Sequence, residues 1–436
     1  MAITILTRRQ ALLGGAGLAA AALSRHASAE EITGKLTAWD WSLAPSVPGV
    51  EAQTEFYTKY FPGLYPKLQL SSTIFGYTDL LPKLTVAWRA GNTPDVCRTA
   101  IQWSPQFVGN GQCAEITEAE LGIPFSDFLP GALISNRKNG AAEGPVYGIP
   151  SNNESMFLIY NKALFAKAGI EKPPETWDEL AATAKIIHDK TGAYGYGMCA
   201  QQNHGNTPYR FMPMAWAHGG SIFDELSPHP TWREVGIGGD GVVAALDLYN
   251  RMFNVDKSVQ PSALSDNQNN VQTLFLDGKV AMCIDHPSFP QQARQLKPDL
   301  DIGGALLPKG PVRRAVVLGG SNFHIRATAA NKPAALALMK AYLTPYWNVR
   351  LGTGAGSQAS RASARASDEG KKFALQFSDL VFEMMTYGVN VPLVTQSGQI
   401  WNITVPAMIQ QVLSGRSSAK EAAATAAGEI KKMMAA

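Results

Sequence analysis

The chain has 436 residues, 45% of them hydrophobic and 17% charged, with 9 Trp, 13 Tyr and 17 Phe. That length exceeds the roughly 250–300 residues at which one core usually divides into domains, and the composition excludes a disordered chain. Three of the 38 basic residues lie in the first 29 positions, which hold no acid, so the rest balances 35 basic against 35 acidic groups. A neutral body without a basic run excludes nucleic acid and membrane surfaces as natural partners.

Residues 1–29 have the three-part plan of an export signal. Arg8 and Arg9 precede an apolar run over 11–23, and Ala27-Ser28-Ala29 supplies small residues for a cut after Ala29. The run is too short for the roughly 20 residues a membrane span requires. The paired arginines after Thr7 fit twin-arginine export, with general secretory export as the alternative. No cysteine near the cut indicates a lipid anchor, and no later apolar stretch is long enough to span. The mature protein is therefore expected to be soluble and periplasmic, without direct membrane insertion.

Past the signal, GKLTAWDW reads as a strand over 35–39 running into a loop. EAQTEFYTKYFPG reads as a helix ended by Pro62-Gly63, PKLQLSSTI as a second strand, and TDLLPKLTVAWRAGNTPDV as helix, turn and strand. This alternation predicts α/β units with a largely parallel sheet. In IPSNNESMFLIYNKALF four polar residues, Ser151 to Glu154, run into the apolar stretch 156–160, which reads as a strand buried on both faces. Asn161 can cap the helix that follows, with Gly169 closing it. Thr176 and Glu179 make a capping box, Trp177, Leu180, Ala184 and Ile187 share one helix face, and Gly192 stands at the C-cap position. TLFLDGKVAMCID reads as helix into strand, AVVLGGSNFHI as a strand and NKPAALALMKAYLT as a helix. The C-terminal third reads as helical.

Catalytic signatures are missing. GIGGDG at 236–241 matches GxGxxG without a preceding strand, there is no GxSxG, HExxH or P-loop, and the seven His are scattered. No cofactor is expected. Cys97, Cys113, Cys199 and Cys283 form no CxxC; Cys97–Cys113 is the nearest pair, and buried free thiols serve equally well.

WRAGNTPDV, YGIPSNNESMFLIYNKALFAKAGIEKPPETWDEL, FLDGKVAM and LGGSNFHI, in that order, resemble the motifs of extracellular solute-binding proteins of the maltose-binding type. These are periplasmic receptors that feed sugar ABC importers. The resemblance implies a two-lobed α/β fold of the periplasmic binding protein kind (class II), with three chain crossings and a ligand cleft between the lobes. Placed on this sequence, the crossings fall near 147–151, 284–287 and 323–328. Lobe one is then 30–149 plus 285–325, and lobe two 150–284 plus 326–436.

Sugar recognition requires aromatic plates for ring C–H faces and planar polar groups for hydroxyls. The segments flanking the cleft then nominate Asp40 and Trp41 after the first strand, Gln102 and Trp103 after the third, and Asn153 and Glu154 on the cleft floor. Asn203, His204, Tyr209 and Arg210 follow as loop residues of lobe two. Asp285 and His286 lie at the second crossing, where relatives often carry an aromatic residue instead. Gly320 and Ser321 lie where bare backbone can approach a ligand. Trp216 reads as core, and Trp401 as core or as a roof over the site. Arg361, in a Gly/Ser-rich loop over 352–366, would suit an anionic sugar if it faced the cleft. The expected function is a monomeric carbohydrate receptor that catalyses nothing and hands its ligand to the membrane permease of an ABC importer. The alternatives are a polyol, glycerol-phosphate or other anionic ligand, and an exported glycosidase or lyase using two of Asp40, Glu154 and Asp285.

Overall fold

The computed structural model describes residues 31–42, 50–227, 230–354 and 356–435. The expected export signal and its cut lie outside these residues. Strands β1 (Gly34–Ser42), β2 (Leu68–Gly76), β3 (Val96–Ala100), β4 (Ile149–Glu154), β10 (Gly319–Ile325) and β11 (Gln358–Ala359) form one sheet in the order β11-β4-β10-β3-β1-β2. A second sheet has the order β6-β7-β5-β8, from β5 (Phe157–Asn161), β6 (Tyr194–Gly197), β7 (Val280–Asp285) and β8 (Ile302–Ala305). β9 (Val316–Val317) and β12 (Gly388–Val389) make a separate two-stranded ribbon.

Neither main sheet is purely parallel. β1 pairs parallel with β2 and β3, but β10 runs antiparallel to both β3 and β4, and β5 runs antiparallel to β7 and β8. β10 enters the first sheet on the chain's return from the second lobe, whereas β5, β7 and β8 reverse direction within the second lobe.

Each sheet has its own core. Leu36, Phe56, Phe61, Ile149, Phe323, Leu338 and Trp347 pack in the first. Phe157, Leu158, Ile159, Trp177, Trp216, Phe275 and Trp401 belong to the second. The three consecutive apolar residues of β5 are all fully buried, each contributing about 1.5–3 kcal/mol by transfer from water. The helix Trp177–Thr191 forms as its sequence predicts, with the Thr176–Glu179 capping box present and Gly192 left-handed at φ 77°.

The lobe boundaries differ from those expected. β4 lies in the first sheet, so residues 150–154 are not in lobe two, and the first crossing falls at Ser155–Met156 instead of 147–151. β8 pairs with β5, which keeps the chain in the second lobe beyond 285. AVVLGGSNFHI is not one strand: β9 packs in the second core and β10 in the first sheet, and the second crossing is at Leu318. The helix Lys332–Tyr342 packs in the first core, whereas Val381, Met384 and residues 400–430 pack in the second, so the third crossing lies after Phe373. The physical reason is the glycine pair. A Cβ on Gly319 would meet the Glu154 side chain at 2.6 Å, and one on Gly320 (φ 131°) would meet the Asn152 carbonyl at 2.3 Å. Only glycine lets β10 lie this close to β4, and that pairing draws the polar segment into the first sheet.

Candidate functional site

The first lobe's contribution begins with a charge inside a strand. β1 and β3 are neighbours, and Arg98 Nε lies 2.5 Å from Asp40 Oδ1 with both side chains almost wholly buried. The Tyr57 hydroxyl (2.9 Å) and the Trp41 backbone N–H (2.6 Å) also donate to Asp40. Arg98 donates further to the Trp41 carbonyl at 2.7 Å and the Ser321 hydroxyl at 3.1 Å, and lies 4.8 Å from the centre of the Trp41 ring. One guanidinium thus ties β1, β3 and β10 together and backs the Trp41 ring. Asp40 and Trp41 lie within β1, which runs on to Ser42, and not in a loop after it. Arg98 was not a sequence candidate. Its only signal was a lone arginine in the otherwise uncharged strand VCRTA.

Glu154 ends β4 opposite Gly319. It accepts a hydrogen bond from the Ser357 hydroxyl at 3.2 Å. Burial outweighs that bond and the Arg98 charge, and pushes its carboxyl up to about 7.

The second lobe presents the end of β7 and the first turns of the helix Asn206–Ala217. Asp285 Oδ1 accepts from the His286 N–H at 2.7 Å and Gln272 Nε2 at 3.2 Å, and lies 3.6 Å from Arg210 Nη2. Burial raises the Asp285 carboxyl to about 6, against the opposing pull of Arg210. Arg210 also donates to the Ile284 and Asn206 carbonyls. Burial, then Arg210, lowers His286 to about 3, so its ring is neutral at ordinary pH.

The two halves meet at several places, three of which bear on the polar groups described. His286 Nδ1 lies 3.8 Å from Glu154 Oε2, beyond hydrogen-bond reach, and has no hydrogen-bond partner among the described residues. The Tyr209 hydroxyl donates to Gln102 Oε1 at 3.5 Å. Gly356, left-handed at φ 71°, approaches Ser288 so closely that a Cβ would lie 2.2 Å from that serine's own. Arg210, Asp285, His286, Glu154 and Ser357 therefore form one polar line across the cleft.

The other nominated residues divide. Tyr209 and Arg210 are helical and buried, not loop residues, and Tyr209 packs edge-on against Trp401 at 5.5 Å. Trp103 packs in the first lobe with Phe107 and Trp41. Trp216 and Trp401 are both core. Asn203 is exposed with φ 55°, and His204 accepts the Asn206 N–H. Asn153 donates to the Ser360 carbonyl. The stretch 352–366 is not a free loop: it holds β11 and the helix Ala362–Ala366. Arg361 there is bound to Asp127 at 2.7 Å and to the Leu343 carbonyl at 2.6 Å, which accounts for its guanidinium without any ligand. All four cysteines are free and buried, so Cys97 and Cys113 are not bonded.

Two α/β lobes joined by three crossings, with polar groups of both facing across a hinged gap, define a cleft-type binding protein. Residues 48–348 match the bacterial extracellular solute-binding protein family, and the chain belongs to it. A Brucella abortus protein described simply as a binding protein is 30% identical over 297 residues, 68% of this chain and 67% of its own. The maltooligosaccharide ABC transporter solute-binding lipoprotein of Streptococcus pneumoniae is 25% identical over 360 residues, covering 81% of this chain and 79% of that one. Among solved structures, the GacH receptor of Streptomyces glaucescens, studied unliganded and with acarbose, superposes with a TM-score of 0.79 at 25% identity, covering 92% of this chain and 98% of that one.

Proposed function

We propose that this protein is the carbohydrate receptor of an ABC importer, acting as a monomer in the periplasm and delivering its ligand unchanged to the membrane permease. The observation that carries the reading is the 3.8 Å gap between Glu154 and His286, which belong to opposite lobes. A sugar hydroxyl donates to a carboxylate and accepts from an imidazole N–H at once, so one hydroxyl bridges this pair when the lobes part to admit it. A ligand that bridges the two lobes binds the closed arrangement better than the open one, and only such differential affinity shifts the population. Trp41, stiffened from behind by Arg98, supplies an apolar plate for a ring face. The sugar-related relatives support the same class. Among the described residues, no helix is long and apolar enough to cross a membrane, which agrees with an exported protein.

A glycosidase would need two carboxyls free to serve as acid and nucleophile or base. Of the three candidates, Asp40 is occupied by Arg98 and Asp285 faces Arg210, leaving Glu154 alone. That favours binding over hydrolysis. A thermal-shift panel of mono- and disaccharides, polyols and acidic sugars tests the reading. At least one neutral sugar should raise the melting temperature, and Trp41→Ala should weaken that sugar about tenfold, roughly 1.4 kcal/mol. A panel in which only non-carbohydrate solutes stabilise the protein would sink the proposal.

A further inference from the structure

Three guanidiniums of the segments around the cleft already have a carboxylate in their own lobe, whereas Arg365 is spent on the Ala359 and Ser360 carbonyls and lies over the Phe382 ring. Arg98 has Asp40 at 2.5 Å, Arg210 has Asp285 at 3.6 Å, and Arg361 has Asp127 at 2.7 Å. The remaining donors of Arg98 go to Ser321 and the Trp41 carbonyl; Arg210 gives Nε and Nη1 to the carbonyls of Ile284 and Asn206, while its Nη2 makes no hydrogen bond among the described residues and faces only the Asp285 carboxylate. Glu154 differs. Among the described residues the only basic group within 4.0 Å of its carboxylate is His286, which burial and Arg210 hold neutral. Its one hydrogen bond comes from an uncharged hydroxyl, that of Ser357. The segment 43–49, which follows Trp41 and Ser42, reads LAPSVPG and contributes no ionisable side chain.

We propose that Glu154 makes the cleft a charge filter, preferring a sugar that carries a protonated amine over its neutral counterpart and rejecting carboxylated, phosphorylated or sulfated ones. The inference rests on the reading of this cleft as a carbohydrate site and extends it to the class of sugar. A largely buried carboxylate without a counter-ion is costly, and a ligand ammonium supplies the missing partner. A ligand anion adds a like charge beside Glu154, where the charges of Arg98 and Arg210 are already balanced by Asp40 and Asp285. The rise of the Glu154 carboxyl to about 7 is the same deficit seen from the proton's side, because a proton is what neutralises it when no cation does. The arginines flanking the site therefore do not make it an anion site; they are the internal counter-ions of Asp40 and Asp285.

The test uses matched trios at pH 7.5 on the full mature chain: glucosamine, glucose and glucuronate, and the diglucosamine, cellobiose and cellobionate set. By calorimetry or competition, the amine member is expected to bind at least threefold tighter than the neutral one, and the neutral one at least tenfold tighter than the anion. In Glu154→Gln the amine and neutral members should bind alike. An anionic member that binds wild type as tightly as its neutral counterpart overturns the inference and leaves the carbohydrate reading standing, as does an amine preference that survives Glu154→Gln. If no member of any trio binds wild type, while a non-carbohydrate solute does, the carbohydrate reading itself falls and takes the inference with it. The wild-type ranking decides the matter even if the variant does not fold.

Discussion

Glu154→Gln is expected to make the protein more stable above pH 7 while making it a poorer receptor. The carboxyl rises from 4.5 in the unfolded chain to about 7 in the fold, chiefly through burial. Between those values the folded state holds more protons than the unfolded one, so stability falls as pH rises through the window. The cost is fully present above pH 7 and absent below about 4.5. Glutamine keeps the shape and never ionises, so the variant and wild type should melt together at pH 4.5 and separate by about 3 °C or more at pH 8. The side chain is one-fifth exposed, and water reduces the effect accordingly. Ligand binding should move the other way, with loss of a charge-assisted hydrogen bond costing about 1.5–3 kcal/mol, or roughly ten- to a hundredfold in Kd. Melting curves across pH with and without the best sugar read both effects from one sample. Equal melting temperatures at pH 8 would mean that Glu154 is well solvated or neutralised by a group other than those described.

The largest loss of stability is expected from Asp40→Asn. This change leaves the Arg98 guanidinium buried without its carboxylate, and breaking a buried pair from one side typically costs about 3–5 kcal/mol. The Tyr57 hydroxyl loses a charged acceptor at the same time. Removing both charges together as Asp40→Asn with Arg98→Met should recover part of that loss, since no uncompensated charge remains. Denaturant unfolding of the single and double variants measures the coupling. A single variant within about 1 kcal/mol of wild type would show that the pair contributes little. Because Arg98 also backs Trp41, the double variant should remain impaired in sugar binding even where stability returns.

Which of these features could be read from the chain depends on how local they are. The helix 177–191 was legible because its cap, its apolar face and its C-terminal glycine all lie within 17 residues of one another. The buried strand β5 was legible from composition alone. The polar entry to it was not: Ser151 to Glu154 form a strand only because Gly319 and Gly320 admit β10 alongside, some 165 residues later in the chain. That long-range pairing moved the first crossing from where motif order had put it. Arg98 was missed for a similar reason, since its partner Asp40 lies on the neighbouring strand and 58 residues away. Tyr209 and Arg210 read as loop residues because the resemblance puts a cleft loop ahead of the helix in this segment. In the fold Pro208 occupies the first turn, where a missing N–H is tolerated, and the helix continues through Pro213 to Ala217. The nomination of Glu154 and His286 rested on neighbouring motifs, and the fold brings the two within 3.8 Å across the gap.

Because Glu154 and His286 come from opposite sheets, changing each in turn asks whether both lobes hold the ligand. Titration calorimetry of the tightest neutral sugar should give one site per chain for wild type, with the sugar recovered intact and affinity reduced at least tenfold by Glu154→Gln and again by His286→Ala. If either substitution alone leaves the affinity unchanged, or if the sugar comes back cleaved, the cleft does not work as a two-sided receptor.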